Sequence, residues 1–484
     1  MTKSFILRYF CHAVLLSANG NVFFEARCKH TINKNDYGSH SMLASFLNFV
    51  NSYIFGPGLC VTVFLGGIFL FFYLRPFFIT KPKRLLHALK SGGNDSGVSP
   101  LRAMIVALAG TLGVGNIAGV GSAITIGGVG AVFWMLASAV AALPLKYAEI
   151  VLAVRHRRRD STGALHGGAY FYIADRGTRL SKITASFFAF LCVGASLAMG
   201  CAVQSSAISV SMQDTLSVPP IASGLAVGLL TFFVASGGLS RIALLTEKLI
   251  PIMSGIYIIM SLYIICTNFS LLGDIVRDIV IKAFDVQAMG GGVIGFITSR
   301  ALRIGVTRGI VSNEAGCGTA PIAHASAEVS APAAQGVFGI LEVFIDTIVL
   351  CTLTAFVVLI AERHGISFVS DGMLGASNAF SHFIPFAKTI LCISVAVFAF
   401  CTIVCWFYYG IESLHYIAPS KRARNIYLLV YSLCALGGAV TSNSIVWSLS
   451  DLTISAMTAV NLTAVLLMIR EVKKETYEYF YKKK

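Results

Sequence analysis

Apolar runs of about twenty residues recur along this chain, each long enough to cross a bilayer as a helix. Strands of a membrane barrel alternate in short segments, whereas these runs are continuous, so a barrel is excluded. Composition agrees with helices in lipid: 56% of residues are hydrophobic and 12% charged, with a mean hydropathy of +0.78. Soluble proteins carry roughly 25% charged residues. Spans are expected at about 53–74, 103–123, 130–153, 184–211, 219–237, 249–267, 288–309, 335–361, 387–412, 425–440 and 451–469. The chain therefore reads as an all-α polytopic membrane protein with about eleven transmembrane helices.

A net charge of +15 raises the question of a nucleic-acid or anionic-lipid partner. The basic residues lie between spans rather than in one patch, which is the pattern that sets topology. Nucleic acid is not expected, and the lipid bilayer is. Basic loops after Arg75, around Arg155–Arg159, at Lys421–Arg424 and in the tail place the N-terminus outside and the C-terminus in the cytoplasm, for a cell (inner, cytoplasmic) membrane protein. The short segment with Arg241, Glu247 and Lys248 is expected to be an inner loop, and Arg308–Pro321 a polar cytoplasmic re-entry. The 12 cysteines fall mostly inside apolar runs without metal-ligand spacing, so neither structural disulfides nor zinc are expected. Residues 1–50 form a mixed N-terminal extension; Met1–Ala18 loosely resembles a signal peptide interrupted by Arg8, and Met42 is an alternative start.

Within the second run stands Gly110-Thr-Leu-Gly-Val-Gly-Asn-Ile-Ala-Gly-Val-Gly121. Glycine weakens a helix and Asn is costly in hydrocarbon. Irregular backbone at membrane depth is tolerated only where it is buried in protein or lines a cavity. A helix broken here turns free N–H groups toward an anion and free carbonyls toward a cation. A second cluster, Gly290-Gly-Gly-Val-Ile-Gly295, opens the seventh run. Setting aside an extra first helix (51–75) leaves halves of five spans, 103–267 and 288–469, followed by a basic cytoplasmic tail, 470–484. The two breaks occupy corresponding places, and an odd number of spans per half requires opposite insertion. Paired interruptions in inverted halves point to a midplane solute site; the alternative is that the glycines only allow close helix packing.

A small amino acid is a zwitterion, needing donors for its carboxylate and acceptors for its ammonium. The first break offers N–H groups from Gly113 to Gly115 beside the Thr111 hydroxyl. Carbonyls at Gly290, Gly291 and Gly292, and the Gln204 amide oxygen, face the other end; Gln204 could equally make a helix–helix hydrogen bond. Asn116 serves an ion or caps the restarted helix. Glu342 and Asp346, four apart on one face, are either proton carriers or hydrogen-bonded helix ties, the latter preferred for Glu342. Ser312, Asn313 and Glu314 read as an inner-gate element, Phe133–Trp134 as a packing anchor, Asp451 as a solvated residue near the outer interface, and Lys146 and Glu149 as snorkelling or paired across helices.

The motifs Gly110-Thr-Leu-Gly-Val-Gly-Asn-Ile-Ala-Gly119, Gly127-Gly-Val-Gly-Ala-Val-Phe-Trp-Met135, Arg308-Gly-Ile-Val-Ser-Asn-Glu-Ala-Gly316 and Asp346-Thr347 resemble those of the alanine or glycine:cation symporter family, the sodium:alanine symporters. They are spread over about 75–470. The resemblance implies a LeuT-like 5+5 inverted-repeat core with one extra N-terminal helix, and sodium-coupled symport of alanine or glycine, with D-alanine preferred by some members. It also implies a sodium site formed by carbonyls of Gly110 and Leu112 with the Thr402 hydroxyl; back-bonding of Thr402 to its own helix is the alternative. Cys401 stands where the family commonly has a serine beside that threonine, and Leu136 where a second tryptophan is usual. A LeuT-like carrier of another amino acid or amine, and proton coupling, are the alternatives. No span carries the polar stripe of a channel. The histidines fall mainly in apparent loops (His156, His166, His324, His364, His382), which disfavours a membrane-embedded enzyme.

Overall fold

The computed structural model describes residues 56–90, 98–161, 163–284, 300–366, 372–441 and 443–482, and these are almost entirely helical. The N-terminal extension and the glycines 290–292 lie outside the described residues. In chain order the main helices are α1 (Gly56–Tyr73), α2 (Pro100–Thr111), α3 (Ala118–Gly127), α4 (Ala131–Arg155), α5 (Arg179–Leu216), α6 (Pro220–Ser236) and α7 (Gly238–Thr267). They continue with α8 (Arg300–Asn313), α9 (Pro332–Arg363), α10 (Ala387–Ile417), α11 (Lys421–Val440), α12 (Asn443–Leu467) and α13 (Ile469–Phe480).

Among the described residues, seven helices are long and apolar enough to cross a membrane, and α2 with α3 makes an eighth candidate if the bent pair is one span. Two shorter apolar helices, Val61–Tyr73 and Pro220–Ser236, accompany them. The outward faces are apolar, with Leu229, Phe233, Ile259 and Leu429 exposed, as lipid contact requires. The helices therefore define a polytopic membrane protein.

Inside, α4 packs against α8 and α9, α10 against α5, and α6 against α11. Small residues allow these approaches: a Cβ at Gly305 would lie 2.3 Å from the Ala131 carbonyl oxygen, and one at Gly200 2.2 Å from Trp406 Cβ. Pro144 sits within α4 and Pro251 within α7, which neighbouring helices make tolerable. Both α5 and α9 contain a widened π-helical stretch, Ser196–Val203 and Phe344–Cys351, of the kind that often marks functional positions.

Several local expectations are corrected. Arg241, Glu247 and Lys248 belong to α7 rather than to a loop, because Gly237 and Gly238 suffice to turn the chain. Arg308–Asn313 is the last part of α8, and the connection after it is buried rather than a solvated re-entry. His324 ends the short helix Ala320–His324 and is fully buried. The tail is an amphipathic helix, α13, docked by Val472, Thr476 and Phe480, with Tyr147 and Thr476 hydroxyls 3.0 Å apart. Basic content alone hid that packed face.

Candidate functional site

Ser99 caps α2 by accepting from the Arg102 N–H, and Pro100 opens the helix. Eleven residues on, Gly110–Gly113 end it. The Leu112 N–H still bonds to Leu108 O, but the Gly113 N–H turns back to Thr111 O at 2.8 Å instead of reaching Ala109 O four residues earlier. A single turn, Val114–Asn116, follows before α3 restarts, and the axes on either side differ by 63°. This is the interruption expected from the sequence.

The released carbonyls face α10. Thr402 Oγ1 lies 2.9 Å from Ala109 O, 3.3 Å from Leu112 O and 3.1 Å from Phe398 O, its own i−4 carbonyl. One hydroxyl proton serves one acceptor, so the four oxygens form an electron-rich cluster at the carbonyl end of α2. Leu112 and Thr402 take the positions foreseen for them. Gly110 does not: Trp406 Nε1 donates to its carbonyl at 3.3 Å, while Ala109, one residue earlier, turns toward Thr402. Helical register decides this, since carbonyls three apart share a face. Cys401 is buried beside Thr402. Ala109 and Phe398 were missed because a main-chain carbonyl leaves no residue-type signal, although Phe398 follows from Thr402 by counting back one turn.

Beyond the break, Gln204 directly follows the π-stretch of α5. Its Oε1 faces the Val114 N–H at 3.5 Å, too long for a strong bond. A Cβ at Gly113 would stand 3.0 Å from Gln204 Oε1 and 3.1 Å from Thr402 Oγ1, so Gly113 is where these groups converge. Gly115 has only the Ser312 backbone within reach, at 3.8 Å. The Thr111 hydroxyl is committed to Leu108 O at 3.2 Å. Leu112, Gly113, Asn116, Ile117, Tyr257, Leu350 and Phe398 enclose a cavity of about 10 Å³, room for a single water.

Asn116 does not cap α3; Ile117 precedes that helix without a side-chain cap. The Asn116 side chain crosses to α9, donating to Asp346 Oδ1 at 2.8 Å and Asp346 O at 2.9 Å, while Oδ1 of Asn116 has no partner among the described residues. Ser312 and Thr347 donate to Asp346 Oδ2 at 3.0 and 2.7 Å. The Thr354 hydroxyl lies 2.6 Å from that of Tyr257 and 2.9 Å from Asn116 O. Asp346 thus ties α3, α8 and α9 together. Asn313 Oδ1 accepts from the Ala315 N–H, and Glu314 Oε2 from Thr319.

Glu342 forms the helix tie preferred for it. Lys146 Nζ lies 3.2 Å from Oε1 and His324 Nε2 3.0 Å from Oε2, all three fully buried. Lys146 is therefore paired rather than snorkelling. Trp134 is a packing anchor, its indole N–H bonded to Ala283 O. Asp451 is exposed, as expected. Outside the spans, the hairpin after α4 brings His166 between Glu412 (2.7 Å) and Asp160 (3.2 Å). The Glu412 hydrogen bond pushes the His166 pKa up to about 9.

A buried helix break that offers carbonyls at one end and N–H groups at the other, inside a polytopic bundle, is the construction of a membrane carrier for small solutes. The profile of the sodium:alanine symporter family matches residues 40–484, and the chain belongs to that family. It is 34% identical over 448 residues to an uncharacterized transporter of Haemophilus influenzae, covering 91% of this chain and 97% of that protein. A sodium/alanine symporter of Methanococcus maripaludis is 34% identical over 443 residues, covering 89% and 96%. A probable sodium/glutamine symporter of Bacillus subtilis is 29% identical, covering 92% of both chains. The protein is an amino-acid transporter of this family.

Proposed function

We propose that this transporter carries alanine or glycine, D-alanine included, into the cell together with sodium, by alternating access around the break between α2 and α3. The observation that carries the reading is the oxygen cluster at Thr402. Carbonyls of Ala109, Leu112 and Phe398 with the Thr402 hydroxyl supply the oxygen ligands a hard monovalent cation requires, and the C-terminal dipole of α2 favours positive charge there. The Cys401 side chain is a poor sodium ligand, so the hydroxyl of Thr402 is the side-chain contribution on α10. Asn116, with its unpartnered Oδ1, is the candidate for a second ion.

The weak Val114 N–H to Gln204 contact is where the zwitterion inserts: the substrate carboxylate takes N–H groups at the start of the restarted helix, and its ammonium takes Gln204 Oε1. Gly290–Gly292 would complete the ammonium side. The tight walls and the close approach at Gly113 favour the smallest side chains. In this reading ten of eleven spans form an inverted 5+5 LeuT-like core behind α1, in the cell (inner) membrane, with Ser312–Glu314 at the inner gate and the C-terminus in the cytoplasm.

The test is uptake into proteoliposomes under an imposed sodium gradient, comparing L-alanine, D-alanine, glycine and glutamine. Uptake of alanine and glycine that collapses when choline replaces sodium at fixed pH is the expected result. Unchanged uptake in choline would remove the sodium assignment in favour of proton coupling, and selective glutamine uptake would remove the substrate assignment.

A further inference from the structure

Apart from the oxygens around Thr402 lies a group of buried ionisable side chains, of which the transport reading uses only Glu314. Lys146 and Glu149 share one face of α4; Glu342 faces them from α9, His324 from the helix Ala320–His324, and Glu314 from the end of α8. Tyr172, from the helix Ala169–Ala174, and Cys317 also face Glu149. Their charges can be counted from the hydrogen bonds. Gln335 Nε2 is fixed as a donor by the Pro100 carbonyl (3.2 Å) and also reaches His324 Nδ1 (2.8 Å). That nitrogen therefore accepts, and the proton of His324 is on Nε2, donated to Glu342. His324 is neutral. Lys146 and Glu342 cancel, and two further carboxyls, Glu149 and Glu314, have no cation of their own among the described residues.

Glu149 is the more isolated of the two, with no exposure at all. Its Oε2 accepts from Asn461 Nδ2 at 2.8 Å and from the Gly318 N–H at 3.2 Å, while Oε1 has no hydrogen-bond partner in good geometry among the described residues. An ionised carboxylate with one bare oxygen in a dry interior is costly, and the cost is relieved by a proton. Asn461 in turn donates to Gly316 O at 2.8 Å, and its Oδ1 accepts from the Tyr172 hydroxyl. Glu149 and Asn461 together hold the connection after α8 at two points, Gly316 and Gly318, both of which have positive φ (+86° and +78°) and so set its path.

We propose that Glu149 is a proton-binding site that latches the Glu314–Thr319 connection: the closed arrangement holds a proton on Oε1, and release of the connection lets it go. On opening, the bonds from Gly318 and Asn461 are lost and water reaches the carboxyl. The O–H bond then breaks, the electron pair stays on the carboxylate and the proton passes to water. Inner opening is thereby linked to one proton, separately from the ion at Thr402. The inner location rests on the orientation proposed above, but the latch does not depend on which solute is carried.

Cys317, fully buried between the two held glycines, is a native reporter. Purified protein is labelled with N-ethylmaleimide between about pH 6 and about pH 9, a range that brackets titration of a buried carboxyl, and modification of Cys317 is read by peptide mass spectrometry. Intrinsic thiol reactivity changes with pH in every variant, so the readout is the ratio of wild type to Glu149→Gln, which keeps the Gly318 and Asn461 contacts and cannot ionise. The ratio should rise by about tenfold across the range, as one titrating proton allows. A ratio that does not change with pH overturns the proposal. Tyr172→Phe, which lets the Asn461 amide turn away, provides a milder second variant. Compared with wild type at the same pH, it should raise labelling of Cys317 at the low-pH end of the range, where the latch is otherwise closed, and labelling equal to wild type there overturns the latch even if Glu149→Gln does not fold. Neither readout uses transport, so failure of the alanine assignment leaves this test intact.

Discussion

Replacing Thr402 by valine keeps the shape of the side chain and removes one oxygen from the cluster. The hydroxyl lies 2.9 Å from Ala109 O, a carbonyl already released from its helix. Leaving that acceptor unpaired costs about 1–3 kcal/mol, so the variant should be less stable even in choline. The diagnostic is therefore a difference of differences. At a sodium concentration one hundred times its Kd, binding stabilises the folded state by about 2.7 kcal/mol, and a tenfold weaker site removes about 1.4 kcal/mol of that. The increase in Tm on exchanging choline for sodium should fall to roughly half in Thr402→Val and return in Thr402→Ser, which restores the hydroxyl. The same variants should require about tenfold more sodium for half-maximal uptake. If sodium stabilises Thr402→Val as strongly as the wild type, while Asn116 or Asp346 variants lose that response, the ion is not at Thr402.

Gly113→Ala tests the convergence point: φ of −126° suits alanine, so only the 3.0 and 3.1 Å contacts oppose it, and overpacking of about 1–3 kcal/mol should raise the KM for alanine about tenfold. Lys146→Met leaves Glu342 buried without its cation and should cost about 3–5 kcal/mol in stability. Adding Glu342→Gln, whose carbonyl can still accept from His324, should recover most of the loss in a Tm measurement. His166→Gln probes the hairpin after α4. The raised pKa, 6.5 to about 9, means that the Glu412 and Asp160 contacts stabilise the fold fully below about pH 6.5 and lose that contribution as pH rises through 9. The Tm gap between wild type and variant should therefore close over that window, and a gap independent of pH refutes the ion pairing.

Apolar run length, set by bilayer thickness, made the helical membrane class legible without any coordinates. The glycine-rich stretch at 110–121 pointed to a broken helix because glycine weakens a helix and Asn is costly in hydrocarbon. Gln204 and Asp346 could be picked out as polar positions in apolar surroundings, whereas Leu112 and Thr402 were pointed to by the family resemblance. What residue types cannot encode is which main-chain oxygen points where: Ala109 replaces Gly110 beside Thr402 because of helical phase, and Phe398 enters only through its carbonyl. Nor could the sequence pair Lys146 with Glu342 and His324, or hang the connection after α8 on Glu149 and Asn461 across 312 residues of chain. Hydrophobicity is a local property that the sequence carries by itself. Charge pairing and backbone ligation depend on distances between remote segments, and those were decided only when the helices packed.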